Sequence, residues 1–393
     1  MLSKSLRISQ FHSAPSTRAR KTSFVDFKRT THNSALNSSA TNTKRKLFAF
    51  TIVPNNSPRQ NQISISFTMK HTIDLLPNSE LPDEVLKIAK LELREEKCAR
   101  EQSLEQLRNW ILKNEDLREV RLDEQFLLRF LRCKKYSVPM AQQTLLKYLN
   151  VRRTFPHMYA QLDCLEPKLS EVLSSGYIFA TPKRDKNGRR VVIINAKGFN
   201  PKLYDSSYQA RAHFITYECL MEDQATQICG LVHVGDFSGV TTAHITNWNP
   251  TEFARVFKWS EQSLPMRHKE IHLVNVPATL KWLIDFVKGR VSTKIRQRLN
   301  VYTNDKELTK LVDPECLPQE LGGHMPMKAM VELWKEELAA KRETILNLDK
   351  IALLSDRGIM RKNNSNVDKN SNNINFVSQM ESIEGSFRKL EFD

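Results

Sequence analysis

Four short, continuously apolar segments alternate with helical stretches between residues 177 and 275, and this pattern limits the possible folds more than any other feature. The segments are YIFA (177–180), VVIIN (191–195), LVHVGD (231–236) and IHLVN (271–275). Strands without polar alternation are buried on both faces, which is typical of parallel sheets covered by helices. The Asn187-Gly188 pair favours a reversal, so the first two strands are predicted to form a hairpin. The pattern therefore predicts an α/β body with a mainly parallel sheet.

Helical periodicity surrounds these strands. Upstream, the sequence reads LPDEVLKIAKLELREE and SLEQLRNWILKN, in which Leu104, Leu107 and Ile111 share one helical face. Downstream of the strands, MKAMVELWKEELAAKRETILNLDKIALL is one long amphipathic stretch. We predict an all-helical N-terminal lobe over residues 79–155, an α/β domain over 160–325 and a C-terminal helix over 326–352.

The two ends of the chain lack this periodicity. Residues 1–78 are predicted to be a disordered basic leader, because Ser, Thr, Asn, Arg and Lys dominate and little apolar surface is available for burial. A mitochondrial transit peptide and an upstream extension preceding Met69 are the two interpretations of this leader. Residues 353–393, rich in Asn and Ser, are predicted to be a disordered tail. Most of the net charge of +16 lies in the leader, so no nucleic-acid partner is expected for the folded part.

The motifs of common enzymes and metal sites are absent from the sequence. No GxGxxG or GxxxxGK[ST] loop follows a strand, and neither HExxH nor GxSxG occurs. The six cysteines are far apart, which favours free thiols in a reducing compartment. His233 and His272 lie inside predicted strands and are interpreted as core imidazoles, and Asp236 as a loop cap. We predict a protein that is not an enzyme and has no cofactor, metal or catalytic residue.

The segment that follows the strand at 271–275 is unusually apolar. Leu280, Leu283, Ile284 and Val287 lie on one face of a predicted helix, and Trp282 with Phe286 extends the apolar surface. Two interpretations remain open: an ordinary core-packed helix, or a movable lid over an apolar space with a hinge or helix end at Gly289.

Basic residues flank this helix. Lys294 and Arg298 project together at i and i+4, and Arg267 with Lys269 precedes the strand at 271–275. A solvated surface is one interpretation of these charges. The other is a rim of cations beside an apolar helix, the pattern expected for reversible binding to anionic lipid.

Several of these segments together resemble the CRAL-TRIO family. They are FLLRFLR (126–132), NGRRVVIIN (187–195), IHLVNVP (271–277), the stretch from Lys294 to Arg298, and LPQELGG (317–323). The order and spacing are most similar to the branch that includes alpha-tocopherol transfer protein, clavesins and cellular retinaldehyde-binding protein. The resemblance covers residues 85–345 and implies a helical CRAL-TRIO-N lobe and an α/β CRAL-TRIO lobe, with a lipid cavity beneath a gate helix at 279–287.

The resemblance also assigns candidate residues. The implied lipid-binding positions are Leu231, Trp259, Ser260, Leu264, Met266, Ile271, Leu283, Phe286 and Val287, together with His213 and Tyr217. The implied phosphoinositide-binding positions, all basic here, are Lys134, Arg267, Lys269, Lys294 and Arg298. The chain departs from the tocopherol carrier at three pocket positions, because His213 and Tyr217 replace small hydroxyl residues and Gly235 replaces an aromatic residue. These departures argue against vitamin E itself as the cargo.

The resemblance implies a monomeric carrier of one hydrophobic small molecule or lipid, similar to a tocopherol, a retinoid or a phospholipid. It would work in the cytoplasm, dock peripherally on endosomal or other acidic membranes that contain phosphoinositides, and transfer its cargo between membranes. The alternative is a signalling or trafficking adaptor of the same family that binds phosphoinositides or a small GTPase and transfers no lipid.

Overall fold

The computed structural model describes residues 81–247 and 250–360. The predicted leader and the part of the predicted tail from residue 361 onward lie outside the described residues. The helices are α1 (Asp83–Leu93), α2 (Lys97–Lys113), α3 (Glu124–Cys133), α4 (Val138–Thr154), α5 (Pro156–Tyr159), α6 (Pro167–Ser174), α7 (Ser206–Met221), α8 (Gln224–Cys229), α9 (Thr242–Thr246), α10 (Pro250–Ser263), α11 (Lys281–Lys288), α12 (Thr293–Arg298), α13 (Leu308–Leu311) and α14 (Met327–Leu346). The strands are β1 (Leu117–Arg118), β2 (Ile178–Arg184), β3 (Arg190–Asn195), β4 (Leu231–Asp236), β5 (His268–Val274), β6 (Leu299–Val301) and β7 (Ala352–Leu353).

The main sheet of the described residues has five strands in the order β2-β3-β4-β5-β6. β2 and β3 pair antiparallel, and β3, β4, β5 and β6 pair parallel to one another. The fold class predicted from the apolar segments, a mixed α/β body with a mainly parallel sheet, is therefore confirmed. The hairpin at Asn187-Gly188 is also present, and Gly188 has a φ of 71°, which is unfavourable for most other residues.

The N-terminal helices pack directly on the α/β part. α3 is strongly amphipathic, and its Phe126, Leu127 and Phe130 are fully buried. Arg129 of α3 is also buried, and its guanidinium donates to the Glu218 carboxylate of α7 at 2.9 Å. Tyr148 of α4 donates to the other Glu218 oxygen at 2.7 Å. Buried charges need such partners, so this network fixes α3 and α4 against α7.

The C-terminal boundary differs from the one expected from sequence. α14 ends at Leu346, and a single 3₁₀ turn over Asn347–Lys350 leads into β7. β7 pairs antiparallel with β1, so that Leu353 faces Leu117. Ile351 and Leu353 are both buried, and burial of these two side chains accounts for order that continues past the predicted boundary at 352.

Two side chains of residue types that often act in catalysis, Asp236 and His272, make structural contacts. Asp236 accepts hydrogen bonds from the Ser238 backbone N–H and from Asn275 Nδ2, each at 2.9 Å, as a loop cap does. His272 Nε2 lies 3.1 Å from Glu270 Oε2. All six cysteines are free thiols, as the sequence predicted. Among the described helices, none has the length and apolar content needed to cross a bilayer.

Candidate functional site

One face of the central sheet carries several of the predicted pocket residues. Successive side chains of a strand point to opposite faces, so Leu231, His233 and Gly235 of β4 share a face. In the parallel register His233 lies beside Ile271 and Gly235 beside Leu273 of β5. A Cβ atom at Gly235 would lie 2.9 Å from Leu273 Cδ2. Leu273 therefore occupies the space in which the family resemblance places an aromatic wall.

The predicted pocket residues on and after α10 are packed rather than open. Trp259, Leu264 and Met266 are at least nine-tenths buried. The Trp259 ring lies 4.7 Å from the Phe155 ring, and the Ser260 hydroxyl lies 3.0 Å from the Tyr159 hydroxyl. These residues attach α10 to the helices that precede the sheet.

A second group of predicted pocket residues keeps accessible surface. Ile271 lies in the middle of the sheet, and Leu283, Phe286 and Val287 lie on α11, yet all four side chains are only partly buried. Interior apolar side chains of a well-packed domain are usually buried completely. Apolar side chains of both the strand and the helix therefore keep accessible surface.

α11 is held by a small contact area. A 3₁₀ turn over Ala278–Leu280 leads into it, and Leu280 and Ile284 form a separate apolar cluster with Val276. The main core is a different and much larger cluster. On the opposite side of α11, Trp282 is 54% exposed. The predicted gate segment at 279–287 thus corresponds to this turn and helix, which bury few side chains and expose a large aromatic one.

The two polar residues of the predicted pocket, His213 and Tyr217, lie on α7. His213 Nε2 is 2.8 Å from the Tyr177 hydroxyl, and His213 Nδ1 is 3.3 Å from the Tyr217 hydroxyl. Burial lowers the pKa of His213 to about 4, and burial raises the pKa of Tyr217. Both side chains nevertheless keep some accessible surface.

Two histidines from adjacent strands continue this polar line. The Tyr217 ring packs edge-on against His233 at 5.8 Å between centroids, and His233 Nε2 lies 2.9 Å from His268 Nδ1. Burial, together with the neighbouring His268 and His213, lowers the pKa of His233 well below the ordinary value. Burial, together with Arg298 and Lys294, lowers the pKa of His268 to about 4. Both imidazoles are therefore neutral at pH 7.

The five basic residues implied by the resemblance gather around the start of β5. Arg298 donates through Nη1 to the His268 carbonyl, and Lys294 lies on the same helix, α12. Arg267 and Lys269 flank His268 in sequence. Lys134 follows Cys133, whose Sγ lies 3.7 Å from the Met266 carbonyl. We call Lys134, Arg267, Lys269, Lys294 and Arg298 the basic patch.

A carboxylate of the N-terminal lobe occupies part of this patch. Glu92 of α1 accepts hydrogen bonds through one oxygen, Oε2, from Lys269 Nζ at 2.6 Å and from Arg267 Nη2 at 2.5 Å. Partial burial would raise the pKa of Glu92, but the hydrogen bonds from Lys269 and Arg267 outweigh this and lower it. α1 itself is attached to α8 through a small cluster that includes Val85, Leu93 and Ile228.

The helical lobe packed on a mainly parallel five-stranded sheet places the described residues in the class of mixed α/β folds that fits the CRAL-TRIO domain. A profile of the CRAL/TRIO domain matches residues 174–323, and one described as a Pinta-like UBA domain matches residues 96–169. The chain belongs to the CRAL-TRIO family, whose members are lipid-binding transfer proteins that are generally not enzymes.

Curated relatives support this assignment. The chain is 30% identical to "Alpha-tocopherol transfer protein-like" of Mus musculus over 62% of its own length and 71% of that protein. It is 28% identical to Clavesin-1 of Xenopus laevis over 63% of this chain and 74% of that one. Clavesin-2 of Homo sapiens is also 28% identical, over 63% and 76%. The crystal structure of Sfh5 aligns at 16% identity with a TM-score of 0.43, covering 64% of this chain and 99% of that one, and the assignment does not depend on it.

Sequence reasoning missed two residues of this region. Glu92 is one of many charges on an amphipathic helix, and its long-range contact with β5 leaves no trace in local pattern. His268 precedes the apolar segment from which the strand was predicted, because β5 begins three residues earlier than the run IHLVN. His233 was recognised as a strand residue, but its pairing with His268 depends on the parallel register.

Proposed function

We propose that this protein encloses one hydrophobic lipid between the sheet and α11 and carries it between membranes, docking through the basic patch. We propose further that it acts as a monomer in the cytoplasm, at endosomal or other acidic membranes that contain phosphoinositides. The names of the relatives, which include a tocopherol transfer-like protein, support lipid transfer in general.

The main support for the proposal is that several side chains are surrounded by protein and nevertheless keep accessible surface. Burial lowers the pKa of His213 and raises the pKa of Tyr217, so surrounding protein favours the neutral form of both groups. Both side chains still have accessible surface, as do Ile271 and Leu283. A group that is deep and accessible borders an enclosed space. The walls named here are apolar with a few polar groups, which is the composition of a lipid pocket.

The attachment of α11 supports a gating role. Its buried contacts belong to the small cluster of Val276, Leu280 and Ile284 rather than to the main core. Each fully buried aliphatic side chain contributes about 1.5–3 kcal/mol, so lifting Leu280 and Ile284 out of their cluster costs about 3–6 kcal/mol, less than the roughly 5–15 kcal/mol that holds a domain folded. Elements with few buried contacts are those that open locally. The helix can therefore open while the sheet stays intact.

The position of the basic patch supports membrane-triggered opening. Arg296 of α12 donates to the carbonyl of Lys288, the last residue of α11, at 3.0 Å. A displacement of α12 on an anionic surface is therefore transmitted directly to the end of the gate. Basic residues near an anionic leaflet contribute about 1 kcal/mol each, which suits transient docking.

Two experiments test the proposal. The purified protein is extracted with organic solvent, and the extract is analysed by mass spectrometry for a stoichiometric hydrophobic molecule. Transfer of a fluorescent lipid from donor to phosphoinositide-containing acceptor vesicles is then measured for Lys294→Ala/Arg298→Ala. The control, Lys202→Ala/Lys328→Ala, removes two exposed lysines with the same loss of charge.

We expect a bound lipid, and we expect vesicle affinity to fall about 30-fold in the patch variant, since two cations contribute about 2 kcal/mol. An extract without lipid, from a protein that also takes up none, would refute the carrier function and favour an adaptor. Equal transfer by the patch variant and wild type would refute docking through the patch.

A further inference from the structure

We infer that the imidazoles of His233 and His268 together form a hydrogen-bonding site for a hydroxyl group of the enclosed lipid. This inference rests on the proposed function, because it needs an enclosed space beside the sheet. Nothing in the family resemblance points to either histidine.

The geometry leaves two ring nitrogens available. His233 Nε2 and His268 Nδ1 bond to each other at 2.9 Å. Among the described residues, His233 Nδ1 and His268 Nε2 make no hydrogen bond, and neither is among the enclosed polar atoms that lack a partner. Each of these two nitrogens therefore keeps some accessible surface, although His233 as a whole is only 4% exposed.

The pair offers one donor and one acceptor in either tautomeric arrangement. A neutral imidazole carries one N–H and one unprotonated nitrogen. If His233 Nε2 donates to His268, then His233 Nδ1 accepts and His268 Nε2 donates outward. If His268 Nδ1 donates to His233, the two outward roles are exchanged. A hydroxyl group both donates and accepts, so it complements the pair in both arrangements.

The surroundings keep the pair in this neutral form. Burial, together with the positive charges of Arg298 and Lys294, lowers the pKa of His268 to about 4. A neutral pair brings no positive charge of its own to balance a carboxylate. A hydroxyl end of the cargo therefore suits this neutral pair better than a carboxylate, with the hydrocarbon part on the side of Ile271, which lies beside His233 in the sheet register.

The test uses three probes of equal chain length that carry a terminal pyrene: a fatty alcohol, its methyl ether and the fatty acid. Their dissociation constants are measured by fluorescence titration of the full chain. We expect the alcohol to bind about tenfold more tightly than the ether, as one satisfied hydrogen bond of ~1–1.5 kcal/mol implies. The fatty acid is expected to bind more weakly than the alcohol.

Two variants separate this role from a structural one. His268→Phe is expected to bring the alcohol-to-ether ratio to within about twofold, and an unshifted melting temperature reports that the fold is intact. His268→Gln keeps a donor and an acceptor and is expected to retain the preference for the alcohol.

The outcomes distinguish this inference from the proposed function. Equal affinity of the wild type for the alcohol and the ether, or tighter binding of the fatty acid, would refute the hydroxyl-binding site but not the proposed lipid-carrier function. Unchanged discrimination in His268→Phe would do the same. If none of the probes binds and solvent extraction yields no lipid, both the carrier function and the hydroxyl-binding site are refuted.

Discussion

Replacing Glu92 by Gln should strengthen the proposed docking on phosphoinositide membranes. The Glu92 carboxylate holds Arg267 and Lys269 in the free protein, with one oxygen between the two cations. A phosphate group that binds the same cations must first displace it. The amide of Gln keeps the size of the side chain but removes the negative charge, so the two cations become available to the membrane.

The size of the effect follows from the exposure of the pairs. Glu92 is 43% exposed at its side chain, and Arg267 and Lys269 are 14% and 21% exposed. Ion pairs with this exposure contribute at most about 1 kcal/mol each, so the two together oppose docking by ~1–2 kcal/mol. Vesicle affinity should therefore rise about 5- to 30-fold.

Acidification should not reproduce the effect of Glu92→Gln. Hydrogen bonds from Lys269 and Arg267 lower the pKa of Glu92, so this carboxylate stays charged until the pH falls below its ordinary range. Its contribution to stability is present above that range and is lost only as the pH falls through the lowered pKa. Vesicle affinity of the wild type should therefore not rise between pH 7 and pH 5.5.

The assay is cosedimentation with vesicles that contain phosphatidylinositol bisphosphate, repeated at rising salt. Glu105→Gln is the matched control, because Glu105 is an exposed residue of α2 and its substitution changes the net charge equally. We expect wild-type affinity in the control. A Glu92→Gln protein that binds as wild type does, or an equal gain in both variants, would show that Glu92 does not compete with the membrane.

Three further predictions follow from the described contacts. Trp282→Ala, at a 54% exposed site on α11, should weaken vesicle binding several-fold and leave the melting temperature unchanged; a shifted melting temperature would assign this side chain to the core. Burial lowers the pKa of His213 to about 4, so protonation favours the unfolded chain. The contribution of His213 to the free energy of unfolding should fall by about 2 kcal/mol between pH 8 and pH 5. In His213→Gln the free energy of unfolding, measured by urea denaturation, should therefore depend less on pH. Glu218→Gln removes one of the two carboxylates that pair with buried Arg129, while the Glu222 carboxylate remains; it should lower the free energy of unfolding by about 2 kcal/mol, and an unchanged value in urea denaturation would contradict this network.

The sheet could be predicted because each strand is specified by residues that are neighbours in the sequence. β4 coincides with the run LVHVGD, and the hairpin follows from Asn187-Gly188 and two flanking apolar runs. Strand ends were less predictable, since β5 begins at His268 with residues that are neither apolar nor β-branched. The polar line inside the domain was beyond local pattern altogether, because it joins α7 to β4 and β5 through tertiary packing. The basic patch was predicted as a set of charges, whereas its occupation by Glu92 depends on how α1 packs on α8.

His268 takes part in both halves of the proposed mechanism, membrane docking and cargo binding. Its carbonyl accepts from Arg298 of the basic patch, and its imidazole lies 2.9 Å from His233 beside the pocket. A phosphate that draws Arg298 toward the membrane removes a hydrogen bond from the strand position that also orients the imidazole. The strength of cargo binding and the strength of docking are then linked, and such linkage is reciprocal. A protein loaded with the alcohol probe should therefore bind phosphoinositide vesicles more weakly than the empty protein, and His268→Phe should abolish that difference.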